Sequence, residues 1–207
     1  MLEAAELRCE RGGRTLFSGL AFTLGSGALL RIAGPNGRGK TSLLRILCGL
    51  LEPAAGEVRW KGAPIRELRE EFARQLVYLG HAPAVKDDLT AAENLSIACR
   101  LSGSPATEKS IQAALETLGV PPQALVKKLS QGQRRRSALA RLVLAESVPL
   151  WLLDEPLAAL DAAAAALVAG FVAEHVRRGG MAAFTTHQEA GFGGVPVSVL
   201  DLDAFDA

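Results

Sequence analysis

The chain has 207 residues, a length that suits one compact domain with a sizeable hydrophobic core. Hydrophobic residues make up 49% of the chain and charged residues 22%, which is an ordinary balance for a globular protein. The net charge is only +1, so the chain lacks the overall basic field that draws proteins to nucleic acids or anionic membranes. We therefore expect no nucleic-acid partner.

The cysteines are Cys9, Cys48 and Cys99. They lie far apart and form no C-x-x-C pair, which argues against a disulfide framework or a zinc site and favours a reducing compartment. Charged side chains interrupt the first residues, so we expect no signal peptide. An uncharged apolar run of about 18 residues is also missing, so we expect no membrane-spanning segment.

Short apolar runs separated by glycines and prolines predict strands in the first part of the chain. The predicted strands are Leu2–Cys9, Leu16–Leu24, Leu29–Ala33, Glu57–Trp60 and Leu76–Leu79. A charged segment, Glu67–Arg74, predicts a short surface helix before the last of them.

Residues 88–146 have the pattern of a helical region. Thr90 stands three residues before Glu93, a capping-box spacing that predicts a helix start. The predicted helices are Ala91–Leu101, Glu108–Leu118 and Ser130 to about Glu146. This block lies between strand-bearing segments, so we interpret it as an inserted helical subdomain.

The last part of the chain returns to alternating strands and helices. The predicted elements are the strand Leu150–Leu153, the helix Asp161–Arg178 and the strands Ala182–Thr185 and Pro196–Leu202. This alternation predicts an α/β fold with a mostly parallel sheet and an N-terminal antiparallel β part. We expect one domain over 1–207, with a core of 1–85 and 149–207 and a helical subdomain of about 86–148.

A phosphate-binding loop follows the strand Leu29–Ala33 and opens an apolar-periodic helix. Its residues, which we expect to bind the nucleotide, are Gly34, Pro35, Asn36, Gly37, Arg38, Gly39, Lys40, Thr41 and Ser42. Glycines let backbone N–H groups turn inward, and the helix N-terminus adds positive potential for an anion. The buried stripe of the helix is predicted to contain Leu43, Leu44, Ile46, Leu47 and Leu50. A chance glycine turn before Lys-Thr is the alternative, which the flanking strand and helix disfavour.

Two carboxylates, Asp154 and Glu155, end the apolar strand Leu150–Leu153. Ligands bind at this end of the strands in open α/β sheets. Asp154 suits Mg²⁺ as the acidic partner of Thr41, and Glu155 suits the role of general base toward the attacking water. Two solvated acids at a strand end are the alternative, and the phosphate loop upstream favours the functional interpretation.

The stretch Leu129–Gln133, with Ser130 as the cap of a helix, resembles the L-S-G-G-Q signature of ATP-binding cassette (ABC) ATPases. Asp161 resembles the family's D-loop aspartate, and His187 after Thr185-Thr186 resembles its switch histidine. The resemblance implies that ATP and Mg²⁺ are bound and that Lys40, Glu155 and His187 are catalytic. It also implies a head-to-tail dimer of two copies of the chain. The residues expected to contact the nucleotide held by the second copy are Ser130, Gly132, Gln133 and Asp161.

Three positions depart from the usual ABC pattern. Arg11 stands where most members carry an aromatic that stacks on adenine, and a guanidinium plane can also stack on a base. His81 stands where most carry a glutamine that senses Mg²⁺, so we expect His81 near the metal. Gln131 replaces the first glycine of the signature, which puts little in doubt.

The segment from Gly80 to Leu95 is similar to the corresponding stretch of bacterial haem exporter ATPases of the cytochrome c maturation system. This resemblance implies an ATPase on the cytoplasmic face of the bacterial inner membrane, docked to an integral membrane channel subunit of the haem exporter. Together they would power release of a haem-loaded chaperone. We expect docking around His81–Val85 and the helix Ala91–Leu101, with a plain surface loop as the alternative. Since no cysteine precedes a proline, we expect no direct haem binding.

Other functions remain open at this point. The ATPase of an ABC transporter with a different cargo fits the same motifs. A soluble P-loop kinase for a small molecule would need a substrate lid and no signature, and a cassette of DNA repair or translation usually carries two cassettes or large insertions. A cassette that binds ATP without hydrolysing it is disfavoured by the intact catalytic residues.

Overall fold

A computed structural model of the chain describes residues 1–187 and 191–205. Within them the strands are β1 (Leu2–Arg11), β2 (Arg14–Leu24), β3 (Leu29–Ala33), β4 (Ala55–Trp60), β5 (Ala63–Pro64), β6 (Leu76–Leu79), β7 (Leu150–Leu153), β8 (Met181–Thr185) and β9 (Val197–Asp201). The α-helices are α1 (Lys40–Leu47), α2 (Ile65–Ala73), α3 (Ala91–Leu101), α4 (Glu108–Thr117), α5 (Gln131–Leu144) and α6 (Ala162–Arg177). Short 3₁₀ turns lie at Val126–Lys128 and Leu202–Ala204.

The strands form two sheets. An antiparallel sheet has the order β2-β1-β4-β5, and a parallel sheet has the order β6-β7-β8-β3-β9. In the parallel sheet β8 lies between β3 and β7, so the loops that follow these three strands meet at one edge. These are the loops that carry the phosphate-loop residues, the two carboxylates and His187.

The parallel sheet is covered on both faces, which explains the unbroken apolar sequence of β7. All four residues of β7 are buried, and alternate side chains point to opposite faces. Trp151 and Leu153 belong to the core cluster shared with the helical region and α6, while Leu150 and Leu152 belong to the cluster shared with α1 and the antiparallel sheet. A polar side chain in β7 would therefore be buried on either face of the sheet, away from solvent.

The helices α3, α4 and α5 pack on one another; α3 and α4 begin at the predicted residues, and α5 begins at Gln131, one residue after the predicted start, with Ser130 as its N-cap. Thr90 and Glu93 form a reciprocal capping box, as do Ser130 and Gln133. Each such cap contributes about 1 kcal/mol to helix stability. The caps therefore fix where α3 and α5 start, and the start of α5 matters for the site.

The fold class predicted from the sequence is confirmed, including the antiparallel part and the inserted helices. One core prediction is wrong: Leu50 is 67% exposed. The helix α1 ends at Leu47, and Gly49 at a φ of 76° reverses the chain, so Leu50 leaves the helical stripe. In the described ranges, no helix is both long enough and apolar enough to span a membrane.

Candidate functional site

The phosphate loop ends at a glycine whose backbone conformation and close neighbours both disfavour a side chain. Gly39 adopts a φ of 103° and caps α1, and an added Cβ would lie 3.2 Å from Leu16 Cβ and from Phe17 Cε1. Lys40 is buried, and its Nζ donates hydrogen bonds to the carbonyls of Gly34 at 2.7 Å and Pro35 at 3.1 Å. The ammonium group therefore lies along the loop, where a phosphate oxygen would meet it.

Asp154 joins the phosphate loop to the parallel sheet. The Thr41 hydroxyl donates to Asp154 Oδ2 at 2.8 Å, and the Thr185 hydroxyl donates to Asp154 Oδ1 at 2.8 Å. Asp154 is only 2% exposed, so these bonds hold its carboxylate in one orientation. A hydroxyl and a carboxylate placed side by side form an oxygen-rich donor set that fits Mg²⁺.

Glu155 stands on a strained turn beside His187. Its φ is 52°, an uncommon value for a residue other than glycine, and its backbone N–H donates to Thr185 Oγ1 at 2.9 Å. His187 Nε2 lies 3.3 Å from Glu155 Oε1. The glutamate side chain is 14% exposed and that of the histidine 54%, so the pair faces solvent from the histidine side.

These groups line one open cleft of about 730 Å³. Its walls bring together residues that are far apart in the chain. They include Arg11, Leu16, Asn36, Gly37, Gly39, Lys40, Thr41, Ser42, His81, Asp154, Glu155 and His187. The cleft is large enough for a nucleotide, and its polar groups converge on the phosphate loop.

Other predicted site residues lie outside the walls of this cleft in the described part of the chain. The carbonyls of Gly34 and Pro35 accept hydrogen bonds from Lys40 Nζ, and Arg38 Nε pairs with Asp203 at 2.9 Å. Asp161 caps α6 by accepting from Ala164 N at 2.8 Å.

The signature residues lie at the start of α5, where Ser130 is the exposed N-cap and Gly132 and Gln133 in the first turn are half-buried. An added Cβ on Gly132 would lie 3.4 Å from the Ala159 carbonyl, so this helix start lies against the turn that follows the two carboxylates. The structure therefore places the signature beside the cleft without placing it in the cleft.

Sequence reasoning missed two residues that hold this site. Thr185 is fully buried and bonds both Asp154 and Glu155. A hydroxyl at the end of a strand beside the carboxylates is the signal that would have found it. Arg135 is also buried and donates to four backbone carbonyls around the site, a role that no local pattern in the sequence indicates.

Comparison with known proteins identifies the family. The family model described as ABC transporter matches residues 17–158. The chain belongs to the ABC transporter family. As an ABC ATPase it binds and hydrolyses ATP, which confirms the expectation from the phosphate loop and the signature.

Two curated relatives of this ABC ATPase share one name. A protein of Aromatoleum aromaticum, named cytochrome c biogenesis ATP-binding export protein CcmA, is 54% identical over 204 residues, covering 98% of this chain and 95% of the relative. A protein of the same name from Nitrosospira multiformis is 51% identical, covering 97% and 98%.

Solved structures of ABC proteins have the same fold. An ABC transporter ATP-binding protein from Pyrococcus furiosus matches with a TM-score of 0.84 at 25% identity, covering 100% of this chain and 99% of that chain. A bacterial ABC transporter cassette solved as a dimer matches with a TM-score of 0.83 at 21% identity, covering 98% and 95%. At that identity the second match shows the fold alone.

Proposed function

We propose that this ABC ATPase powers a haem exporter of cytochrome c biogenesis. Two copies of the chain close head-to-tail over two ATP molecules, and hydrolysis reopens them. This movement acts on an integral membrane channel subunit and drives release of a haem-loaded chaperone. The chain works at the cytoplasmic face of the bacterial inner membrane, where the channel subunit holds it.

One observation favours haem export over the cargoes of other ABC transporters. The relatives that share about half of their residues with this chain over nearly its whole length are named as cytochrome c biogenesis export proteins. Functional analogy from the fold alone would not choose a cargo, because one fold serves many functions. The intact cleft then supports an active ATPase rather than one that only binds nucleotide.

Binding of the triphosphate falls to the phosphate loop. Lys40 exchanges the carbonyls of Gly34 and Pro35 for charged phosphate oxygens, which make stronger hydrogen bonds with an ammonium group. The positive end of α1 adds to this attraction. Thr41 and Asp154 would hold Mg²⁺, which would offset the negative charge of the phosphates.

Hydrolysis falls to Glu155 and His187. Glu155 accepts a proton from the water that attacks the γ-phosphate, and the imidazole of His187 orients this carboxylate. The products are ADP and phosphate. The capped, exposed start of α5 in the second copy completes each site, because its free N–H groups suit the γ-phosphate. A symmetric pair of copies thus forms two equivalent sites.

Arg11 and His81 line the same cleft, which supports the roles expected for them. Arg11 stacks on the base of the nucleotide through its guanidinium plane. His81 takes the place of the usual glutamine near the metal and the attacking water. We expect His81→Ala to lower ATPase activity, and unchanged activity would remove this role.

The membrane partner docks on an apolar groove beside the His81–Val85 segment. This groove has a volume of about 460 Å³ and is lined by residues of α3 and of the segments that follow α1 and β6. Leu101 is 84% exposed, Ile97 44% and Leu50 67%. Exposed apolar side chains grouped in this way are typical of interaction sites, and an amphipathic helix of the channel subunit fits such a groove.

Co-purification from membranes tests the docking surface. We expect Leu101→Glu to abolish recovery of the channel subunit with the tagged chain, while ATP binding by the isolated chain stays unchanged. Leu167→Glu is the matched control, since Leu167 is an exposed leucine on α6. Equal recovery with both variants would place the docking surface elsewhere.

Complementation tests the cargo. In a bacterial strain that lacks its own cytochrome c maturation ATPase, we expect the chain to restore haem-stained c-type cytochromes and Lys40→Ala to fail. Stable expression without any restored cytochrome, in the presence of a channel subunit that binds the chain, would mean a different cargo. This result would leave the ATPase assignment untouched.

A further inference from the structure

Arg135 connects three segments that surround the catalytic glutamate. Its Nη1 donates to the carbonyl of Gly80 at 2.9 Å and of His81 at 3.0 Å. Its Nη2 donates to the carbonyl of Asp154 at 2.9 Å and of Glu155 at 2.7 Å. One guanidinium group therefore holds the end of β6 and the end of β7 from a position on α5.

This guanidinium is buried at 5% exposure, and the four acceptors are all backbone carbonyls. Burial lowers the pKa of Arg135, and the nearby carboxylates of Asp154 and Glu155 act in the opposite direction. A buried cation is costly unless its donors are satisfied, and the buried Nε of Arg135 has no hydrogen-bond partner among the described residues, so holding the guanidinium here has an energetic expense. Such expense is expected where a group fixes a functional geometry.

The geometry at Glu155 gives this bond network a catalytic consequence. Glu155 adopts a φ of 52°, and its backbone is held by Thr185 on the N–H side and by Arg135 on the carbonyl side. Both bonds together set the direction in which the carboxylate leaves the backbone. The hydrogen bonds from Arg135 Nη1 to the carbonyls of Gly80 and His81 connect the His81 segment to the same guanidinium group.

Arg135 also lies five residues after Ser130, on the helix whose start carries the signature. Because these hydrogen bonds connect α5 to the ends of β6 and β7, a shift of this helix would act on the carbonyls of Glu155 and His81 through the guanidinium. We infer that Arg135 is a positioning residue for ATP hydrolysis, which links the orientation of Glu155 and of the His81 segment to the position of the signature helix. The inference requires only the ATPase activity and is independent of the cargo and the membrane partner.

Steady-state kinetics of the full chain test this role. We expect Arg135→Gln to lower kcat for ATP about tenfold or more, because a small displacement of the base is costly, while KM changes by less than about twofold. The control is Arg134→Gln, which removes the neighbouring cation of the same helix turn and breaks only its pair with Asp87. The control should keep the wild-type kcat.

The conservative variant separates positioning from charge. Arg135→Lys keeps a cation but presents three donors from one point, which cannot serve both pairs of carbonyls as a planar fork does. We expect its kcat to lie between those of Arg135→Gln and the wild type, with unchanged KM. If Arg135→Gln does not fold, as judged by circular dichroism, this variant decides the question. A wild-type kcat in the variant that folds would overturn the inference, as would a loss confined to KM.

A double-mutant cycle distinguishes a role that acts through Glu155 from a general structural role. If Arg135 acts through Glu155, then adding Arg135→Gln to Glu155→Gln should lower the residual single-turnover rate by less than about twofold. Multiplied losses would mean that Arg135 acts independently of Glu155, and the inference would fail. Hydrogen exchange should also quicken at residues 79–82 and 154–157 in Arg135→Gln and stay unchanged in Arg134→Gln.

Discussion

Thr185→Val probes the buried hydroxyl that holds the Asp154 carboxylate and the Glu155 backbone. Thr185 is fully buried, donates to Asp154 Oδ1 at 2.8 Å and accepts from Glu155 N at 2.9 Å. Valine has nearly the same shape but makes neither bond. A hydrogen bond to a charged group contributes about 1.5–3 kcal/mol and a neutral one about 1 kcal/mol, so we expect the unfolding free energy to fall by about 2–4 kcal/mol. For a chain of this size, such a loss lowers Tm by roughly 5–15 °C.

Urea titration followed by tryptophan fluorescence measures this loss. Thr185→Ser is the matched control, because it keeps the hydroxyl and removes only a methyl group, at an expense of about 1 kcal/mol. The difference between the two variants therefore isolates the two hydrogen bonds. If valine destabilises the chain no more than serine does, the hydroxyl does not hold the site and the reasoning is refuted.

Two further predictions concern a binding residue and a core residue. Lys40→Ala should weaken ATP binding about tenfold or more, since it removes a charged donor to the phosphates. Fluorescence titration measures the affinity, with the exposed Lys61→Ala as the control. Equal affinities of the two variants would exclude Lys40 from the site. Burial lowers the pKa of His175 from its ordinary 6.5, so below that pH the unfolded chain takes up a proton that the folded chain resists. The unfolding free energy should then decrease as the pH is lowered, by up to about 1.4 kcal/mol per pH unit from this group. His175→Phe keeps an aromatic ring stacked on Trp151 but cannot take up a proton. In urea titrations between about pH 7 and pH 5, its unfolding free energy should depend less on pH than that of the wild type. An unchanged pH dependence would contradict the role given to His175.

The sequence predicted the parts of the molecule that are encoded locally. The phosphate loop, the two carboxylates at the end of β7 and the caps at Thr90 and Ser130 follow fixed short patterns, and the structure places them accordingly. Periodicity alone failed at Leu50, because it does not register where a glycine ends the helix.

The supporting contacts could not be predicted in this way. Thr185 meets Asp154 because β8 pairs with β7, and Arg135 meets Gly80 and Glu155 because α5 packs over the ends of two strands. Contacts of this kind depend on the three-dimensional packing of distant segments. The boundary between core and helical subdomain, about residues 86 and 148, stays a prediction for the same reason.

The central claim is that each catalytic site is completed by a second copy of the chain. It is tested most directly by a crosslink between Asn36→Cys in the phosphate loop and Ser130→Cys at the start of α5, both of which are exposed. Glu155→Gln provides the background that keeps ATP bound, and Cys48→Ser removes the partly exposed native thiol.

With ATP and a short bifunctional maleimide, we expect a covalent dimer on a denaturing gel. We expect none without nucleotide and none from either cysteine variant alone. A chain that stays monomeric in every nucleotide state, with both cysteines shown to be reactive, would contradict the shared site.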